Sequence, residues 1–538
     1  MSHPADVSAF DPAARWAAPD AEPLCGEPLR ALLAQAFGIG EAELAGGSPA
    51  AVVLQVGPTA LADAAHAELS AAVGADHVVV DRAVRAAHAN GMSYLDLIRR
   101  SAAPPVAPDA VVLPGDHEEV GAVLRACSAH GVAVVPFGGG TSVVGGVAPH
   151  RGRFDAVIAL DLRRLDQLVE VDDVSWTATL QAGVAGPRAD ELLGAHGFTL
   201  GHVPQSFERA TIGGYAATRS AGQLSTGWGR FDTLVERVRV ATPAGDLDLG
   251  RAPGTAAGPD LRQLVLGSEG ALGVITSVTV RVRPVPEVRR HEGWRVADLA
   301  AGIDVLRALA QRGPRPDMAR LSDEVETALG VATGGGAAVA GGCLVLVGWE
   351  GARDDVARRS APAGEILEAA GAVALGADAA EPWRHGRFRA PRLRDELLGA
   401  GLLIETLETA TTWRELMALH ARVGETLRSA LDGASPVVAC HVSHLYAAGA
   451  SLYFTVLARR DADDPVRQWS RAKTAVMDAL AAAGATLTHH HALGADHAPW
   501  LAAEDGELGV EILRAVKHRL DPAGVLNPGK LLPPSAVP

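Results

Sequence analysis

The stretch PFGGGTSVVGGV, residues 136–147, places five glycines among twelve residues of a 538-residue chain. It follows the run VAVV at 132–135, which predicts a buried strand ending in a turn. Glycine lacks a Cβ, so successive N–H groups in such a turn can converge on an anionic oxygen, and Thr141 and Ser142 add hydroxyl donors. A diphosphate is the natural guest. A glycine cluster alone is equally compatible with an unliganded loop. No GxxxxGK[ST] stands here and the spacing is not a GxGxxG opening a helix, so neither a P-loop nucleotide nor a Rossmann-held dinucleotide is expected.

Three other places carry side chains suited to chemistry. THHHALG at 488–494 sets His489, His490 and His491 in a row. If 488–492 is extended, His489 and His491 face one way and His490 the other. Imidazoles titrate near neutrality and can move a proton or bind a phosphate. A polar strand edge explains the same triplet, as does a metal site with Cys440, His441 or His444. Zinc would need four converging ligands and no standard local spacing is present, so no metal is assigned. Arg394 lies in an arginine-rich segment, 384–394, that is a candidate anion pocket, with a surface ion pair to Asp395 as the alternative. Tyr453 in SLYFTV reads as a core aromatic, in a chain only 4% aromatic that uses tyrosine sparingly.

The elements that must position these groups follow from pattern. Residues 107–140 read as strand, turn, amphipathic helix, strand and glycine loop, a βαβ unit with acidic residues in the first helical turn. Strands are expected at 156–161, 168–171 and 176–181, and a helix at 185–196. A second backbone-exposing stretch runs from 203 to 235, rich in small residues that suit either an extended ligand or a crowded helix. A third, 264–282, joins a glycine turn to a long β-branched strand. After Pro284 and Pro286 the pattern becomes strands and helices in two similar sets, predicting an antiparallel sheet with helices on one face, and a capping box is read at Thr412–Glu415. A strand is read in AVVLQVG at 51–57 and a glycine-rich loop at 334–342. The division is an N-terminal extension at 1–105, a cofactor domain at 106–285, a substrate-binding cap at 286–500 and a C-terminal segment at 501–538 that returns to the cofactor domain.

Bulk properties narrow the partners. The formal charge of −15, from 48 basic and 63 acidic residues with no dense basic run, argues against nucleic acid. Four cysteines, at 25, 127, 343 and 440, form no CxxC pair and fit a reducing compartment, so the cytoplasm is expected.

The three backbone-exposing loops resemble, in order and spacing, the flavin domain of the vanillyl-alcohol oxidase and p-cresol methylhydroxylase (PCMH) superfamily. Further stretches, DRAVRAAH at 81–88, TIGGYAATRSAG at 211–222, ARLSD at 319–323, 393–413, CHVSHLYAAGASLYF at 440–454 and THHHALG, are similar to the alkyldihydroxyacetonephosphate synthase family within it. The resemblance implies an α+β fold: a two-subdomain PCMH-type FAD-binding domain plus a cap with an antiparallel sheet and covering helices. It implies non-covalent FAD, since Thr141 stands where some members carry a histidine. It assigns cofactor contacts to Pro136, Phe137, Gly138, Gly139, Gly140, Thr141, Ser142, Gln205, Ser206, Thr211, Gly214, Thr218, Arg219, Ser220, Glu269, Gly270, Gly273, Val274 and Ile275.

It also implies a reaction without net redox, in which a long-chain alcohol replaces the fatty acid of acyl-dihydroxyacetone phosphate. Arg394 would hold the acidic substrate, Arg320 would be needed near the flavin, and Tyr453 with His489, His490 and His491 would move protons. A lipid-phosphate substrate, a fatty alcohol, a homodimer and peripheral membrane contact are the implied partners. The alternative is an FAD-dependent dehydrogenase or oxidase of a 2-hydroxyacid such as D-lactate, glycolate or D-2-hydroxyglutarate. Three departures stand out: Ala495 and Asp496 where a lysine is common after the histidines, Arg209 in place of an apolar residue, and a C-terminus reading SAVP without a peroxisomal signal.

Overall fold

The computed structural model describes residue 16 and residues 23–40, 56–102, 106–333 and 341–533. Residues 51–55 of the 51–57 strand reading, most of the 334–342 loop and the C-terminal SAVP lie outside the described residues.

Two sheets build the first half. A four-stranded sheet runs Val78–Val79, Ala110–Val112, Ala156–Asp161, Val132–Phe137, the last three parallel. Parallel neighbours need a crossover, and helix His117–His130 supplies it between Ala110–Val112 and Val132–Phe137. Asp116 caps that helix by accepting from the Glu119 N–H at 2.8 Å, and Gly131 ends it in the left-handed region at φ 64. The second sheet is antiparallel, in the order Leu168–Asp172, Thr177–Gln181, Val274–Arg281, Val235–Thr242, Gly245–Leu249. One apolar cluster joins both sheets.

The cap is a single seven-stranded antiparallel sheet: Val373–Gly376, Val288–Val296, Cys343–Gly351, Met318–Ser322, Val437–Ser443, Gly449–Arg459, Leu402–Thr412. The two similar sets of elements thus merge where Met318–Ser322 pairs with Val437–Ser443. Side chains alternate across it with period two. Cys440, Val442, Leu452, Phe454 and Val456 join the helix-covered core, whereas Ala439, His441, Ser443, Tyr453 and Thr455 face a cavity. The Thr412–Glu415 capping box is not formed: helix Leu416–Ala430 starts after a turn in which the Glu415 N–H donates to the Thr412 carbonyl.

The early residues are built into both halves. Val78–Val79 pairs with Ala110–Val112, and helix Asp63–Val73 packs on the same core. Helix Glu27–Phe37 instead buries Leu29, Leu33 and Phe37 in the cap core. At the other end, the Val134 N–H donates to the Val525 carbonyl and the Asn527 N–H to the Val134 carbonyl, so the tail lies along the first sheet. Lys517 anchors it by donating to the carbonyls of Ala271 and Leu526 and to Asp521. All four cysteines are free and buried. Among the described residues no helix is long and apolar enough to cross a membrane.

Leu33 is fully buried. Leu33→Ala is expected to lower stability by about 2–5 kcal/mol, the usual cost of a core truncation. Urea unfolding measures it, and an unchanged midpoint would show that this helix is not part of the folded unit.

Candidate active site

The cavity lies between the two halves and has a volume of about 580 Å³. One wall is backbone. Pro136, Phe137, Gly138, Gly139, Gly140, Thr141 and Ser142 line it directly after the buried strand. The loop is packed against its neighbour: a Cβ on Gly138 would lie 2.5 Å from Thr211 Oγ1, and one on Gly139 would run into the Arg209 carbonyl. These two glycines are therefore required by the loop's own packing as well as by whatever lies in front of it. Ser142 Oγ accepts from the Gly146 N–H at 2.8 Å, and the Ser142 carbonyl accepts from the Met92 N–H at 2.6 Å, which holds the loop's far end.

The second stretch contributes Gln205, Ser206, Thr211, Gly214, Thr218 and Ser220, and the third contributes Glu269, Gly270, Gly273, Val274 and Ile275. Gln205 also reaches across, donating to the Arg387 carbonyl at 2.7 Å. Arg219 does not line the cavity. Its guanidinium donates to the carbonyls of Leu266 and Gln263, both at 2.9 Å, and so ties the second stretch to the third. Glu269 accepts from the N–H groups of Leu493 and Gly494 at 3.0 and 2.8 Å. Burial raises its carboxyl to about 7 against those backbone donors.

The opposite wall is the cavity face of the cap sheet. Tyr453 lies between two imidazoles, stacked on His441 at 4.8 Å and His490 at 6.0 Å, with His491 edge-on at 5.6 Å. Burial raises the phenol to about 12, so it keeps its proton at neutral pH. Arg320 donates to Glu326 at 2.9 Å, and His441 Nδ1 meets the same carboxylate oxygen at 2.9 Å. Burial opposes that charge, but Arg320 and His441 hold the Glu326 carboxyl at about 2. Arg394 is buried. Its Nη1 donates to the Met92 carbonyl at 2.7 Å, while Nε and Nη2 are buried without a hydrogen-bond partner among the described residues. Nη2 also lies 3.9 Å from Asp395 Oδ1, so the ion pair is a buried and long one, and the guanidinium at this cavity wall suits a phosphate.

The histidine segment is not extended. It bends around Glu408, which accepts from the Thr488 hydroxyl at 2.5 Å and from the N–H groups of His489, His490 and His491 at 2.6, 3.2 and 2.9 Å. The expected alternation fails for that reason: His490 and His491 both line the cavity, and His489 turns away to meet the Tyr446 hydroxyl at 2.6 Å. Burial, offset by Glu408, leaves His490 and His491 neutral, the latter at about 3. A protonated phenol beside neutral imidazoles can give and take a proton. The nitrogens of His444, His489 and His490 lie within 4.8 Å of one another.

Glu408, Glu326 and Tyr446 escaped the sequence reading. The available signal was an acidic residue inside the apolar strand LLIETLETA, which only a site with donors could accommodate. Two departures acquire partners. Lys473, from helix Pro465–Ala482, pairs with Asp496 at 2.8 Å, and the Arg209 guanidinium lies 5.1 Å from the ring of Trp16. Leu24, Leu29, Leu329, Leu397, Ile404 and Leu457 form an apolar recess in the remaining wall, which Arg387, Arg389 and Thr406 also line.

Two family models match this architecture: one described as an FAD binding domain covers residues 108–248, and one for the C-terminal domain of FAD linked oxidases covers 285–531. The backbone wall fits that cofactor, since bare peptide groups and hydroxyls, with no bulky side chain at 138–140, face the space a diphosphate would take. The chain is an FAD-linked enzyme. A p-cresol methylhydroxylase structure shares the fold, with a TM-score of 0.69, 16% identity and coverage of 89% of this chain and 99% of that one.

Nearer relatives narrow the class. The alkyldihydroxyacetonephosphate synthase of Trypanosoma brucei brucei is 32% identical over 495 residues, covering 87% of this chain and 80% of the relative. A solved alkyldihydroxyacetonephosphate synthase superposes with a TM-score of 0.77 at 27% identity, covering 93% of this chain and 92% of that one. The chain belongs to the alkyldihydroxyacetonephosphate synthase family.

The neutral histidines set the pH response of the fold. Burial lowers His202, His489, His491 and His497 to about 3 and His291 to about 4. Unfolded, each takes a proton near pH 6.5, so stability falls as pH drops below that value, by ~1.4 kcal/mol per unit for each such group. Glu269 pulls the other way, since a raised carboxyl loses stability as pH rises toward about 7. Asp190, Glu350 and Glu405 are raised with it, but His150, His441, His444 and His490 are lowered as well, so the histidines outweigh the carboxyls. Urea unfolding between about pH 7 and 5 is expected to show falling stability, and a flat or opposite profile would contradict neutral buried imidazoles.

Proposed function

We propose that this enzyme exchanges the acyl chain of acyl-dihydroxyacetone phosphate for a fatty alcohol, forming an ether lipid precursor. The observation that carries the reading is Arg394. Its buried guanidinium, bonded to the Met92 carbonyl and 3.9 Å from Asp395, lines one cavity with Tyr453, His490, His491 and an apolar recess. An anion clamp, a proton-moving group and an apolar recess are what a phosphorylated lipid substrate and a long-chain alcohol require.

Bound FAD would lie along the backbone wall of residues 136–142 and 269–275 and supply the electrophilic ring system. The protein's own part is derived from its residues. Arg394 holds the phosphate and so positions the acyl-bearing carbon on the far side of the ketone. Neutral His490 and His491 accept a proton there, and Tyr453, protonated and stacked between His441 and His490, returns one. Glu326 with Arg320 and His441 fixes the plane on which Tyr453 rests. A homodimer, a cytoplasmic location and peripheral contact with the membrane belong to the same reading, the last supported by the lipid nature of both substrates.

Labelled hexadecanol incubated with the purified holoenzyme and acyl-dihydroxyacetone phosphate is expected to give the alkyl product without oxygen uptake. Flavin bleaching by D-lactate, glycolate or D-2-hydroxyglutarate under anaerobic conditions, with no alkyl product, would instead establish a 2-hydroxyacid dehydrogenase. Arg394→Met is expected to remove about 1.5–3 kcal/mol of substrate binding, roughly a 10- to 150-fold rise in KM. Acid denaturation is expected to release the yellow flavin into the supernatant, and flavin retained on the precipitated chain would show a covalent link.

A further inference from the structure

His489 turns its ring away from the cavity, yet both of its nitrogens are engaged. Nδ1 lies 3.0 Å from Nδ1 of His490, and Nε2 lies 2.6 Å from the hydroxyl of Tyr446. His490 lines the cavity, while Tyr446 is half-buried in a turn whose next residues, Ala447 and Ala448, are exposed. The path His490, His489, Tyr446 therefore runs from the cavity wall to a half-buried residue beside the exposed turn at 447–448. We propose that it is a proton relay, with Tyr446 as its outer member.

An imidazole bonded at both nitrogens can take a proton on one side and give one from the other. In one complete pattern the Tyr446 hydroxyl donates to His489 Nε2 and His489 Nδ1–H donates to His490. In the other, His490 Nδ1–H donates to His489 and His489 Nε2–H donates to the Tyr446 oxygen. Starting from the second pattern, a proton taken up at Nε2 of His490 lets the His490 Nδ1 proton pass to His489 Nδ1, the His489 Nε2 proton pass to the Tyr446 oxygen and the phenol proton leave outward, which leaves the first pattern.

The surroundings keep this geometry. Glu408 holds the backbone of all three histidines, Arg230 donates to the His489 carbonyl at 2.9 Å, and the His444 ring lies parallel to that of His489 at 5.2 Å. The charged or titratable groups acting on the relay are Glu408, His444 and His491 inside and Arg230, Asp232 and Arg315 around Tyr446.

The need for a relay rests on the exchange reaction proposed above. The alcohol O–H bond breaks and its oxygen bonds to the substrate carbon. The ester C–O bond at that carbon breaks with its electron pair on the leaving carboxylate. At neutral pH the carboxylate stays ionised, so one proton per turnover must reach solvent.

Tyr446→Phe keeps the ring and removes the relay oxygen. In the holoenzyme it is expected to lower kcat by about tenfold to a hundredfold with KM and flavin content unchanged, since a general acid–base step is worth at least that much. Added imidazole buffer is expected to restore kcat in the variant and leave the wild type unaffected. Wild-type kcat in the variant, or a loss that imidazole does not rescue, would overturn the relay. So would a stoichiometric transition metal in the purified protein, which would occupy the nitrogens of His444, His489 and His490. If the wild type forms no alkyl product, the exchange reading fails on its own. The relay is then decided by 15N-histidine spectra of the full chain, and a His489 Nε2 signal unmoved by Tyr446→Phe would overturn it.

Discussion

The site depends on one buried carboxylate. Glu408 is almost fully removed from water, a state that costs several kcal/mol unless donors replace the lost hydration. The Thr488 hydroxyl and three consecutive peptide N–H groups provide them. Because those N–H groups belong to His489, His490 and His491, satisfying one anion forces the histidine segment into a bend. The same residue sits directly opposite Tyr453 in the strand pairing of Leu402–Thr412 with Gly449–Arg459. A single charge thus sets the height of the imidazoles relative to the phenol.

Around that point the two walls obey different rules. The cofactor wall is peptide backbone presented by turns that follow buried strands, and its spacing is set by how closely the turns pack on one another. The cap wall is side chains presented by a flat antiparallel surface, where every second residue faces the cavity. The first wall tolerates no added Cβ at Gly139, whereas the second can change chemistry one residue at a time without moving its neighbours.

This difference explains what was legible from the chain alone. The glycine loop, the βαβ unit around helix His117–His130 and the antiparallel cap were readable because turn chemistry and apolar periodicity are local signals. The placing of Arg394 by its neighbours was not, since the carbonyl that takes its third donor belongs to Met92, far away in sequence. Arg219 misled for the same reason: a basic residue in a cofactor-like stretch looks like an anion ligand until the carbonyls of Gln263 and Leu266 are seen beneath it. The histidine alternation failed because an extended chain was assumed where a distant carboxylate imposed a bend. Thr412–Glu415 had the letters of a capping box, but Thr412 was already committed to a strand.

The apolar end of the cavity has a mixed parentage. Trp16, Leu24 and Leu29 line it from the beginning of the chain, and their segment is tethered to the helix that carries Arg394: the Trp16 N–H donates to Asp395, and those of Leu24 and Cys25 to Glu396. Residues that never touch the reacting carbon therefore share in deciding how much hydrocarbon fits behind it. A piece of chain outside both the flavin turns and the proton-moving face can lengthen, shorten or change its side chains while the chemistry stays as it is. Through the shared helix, such drift would also reach the placing of Arg394, so the shape of the apolar recess and the position of the guanidinium are set together.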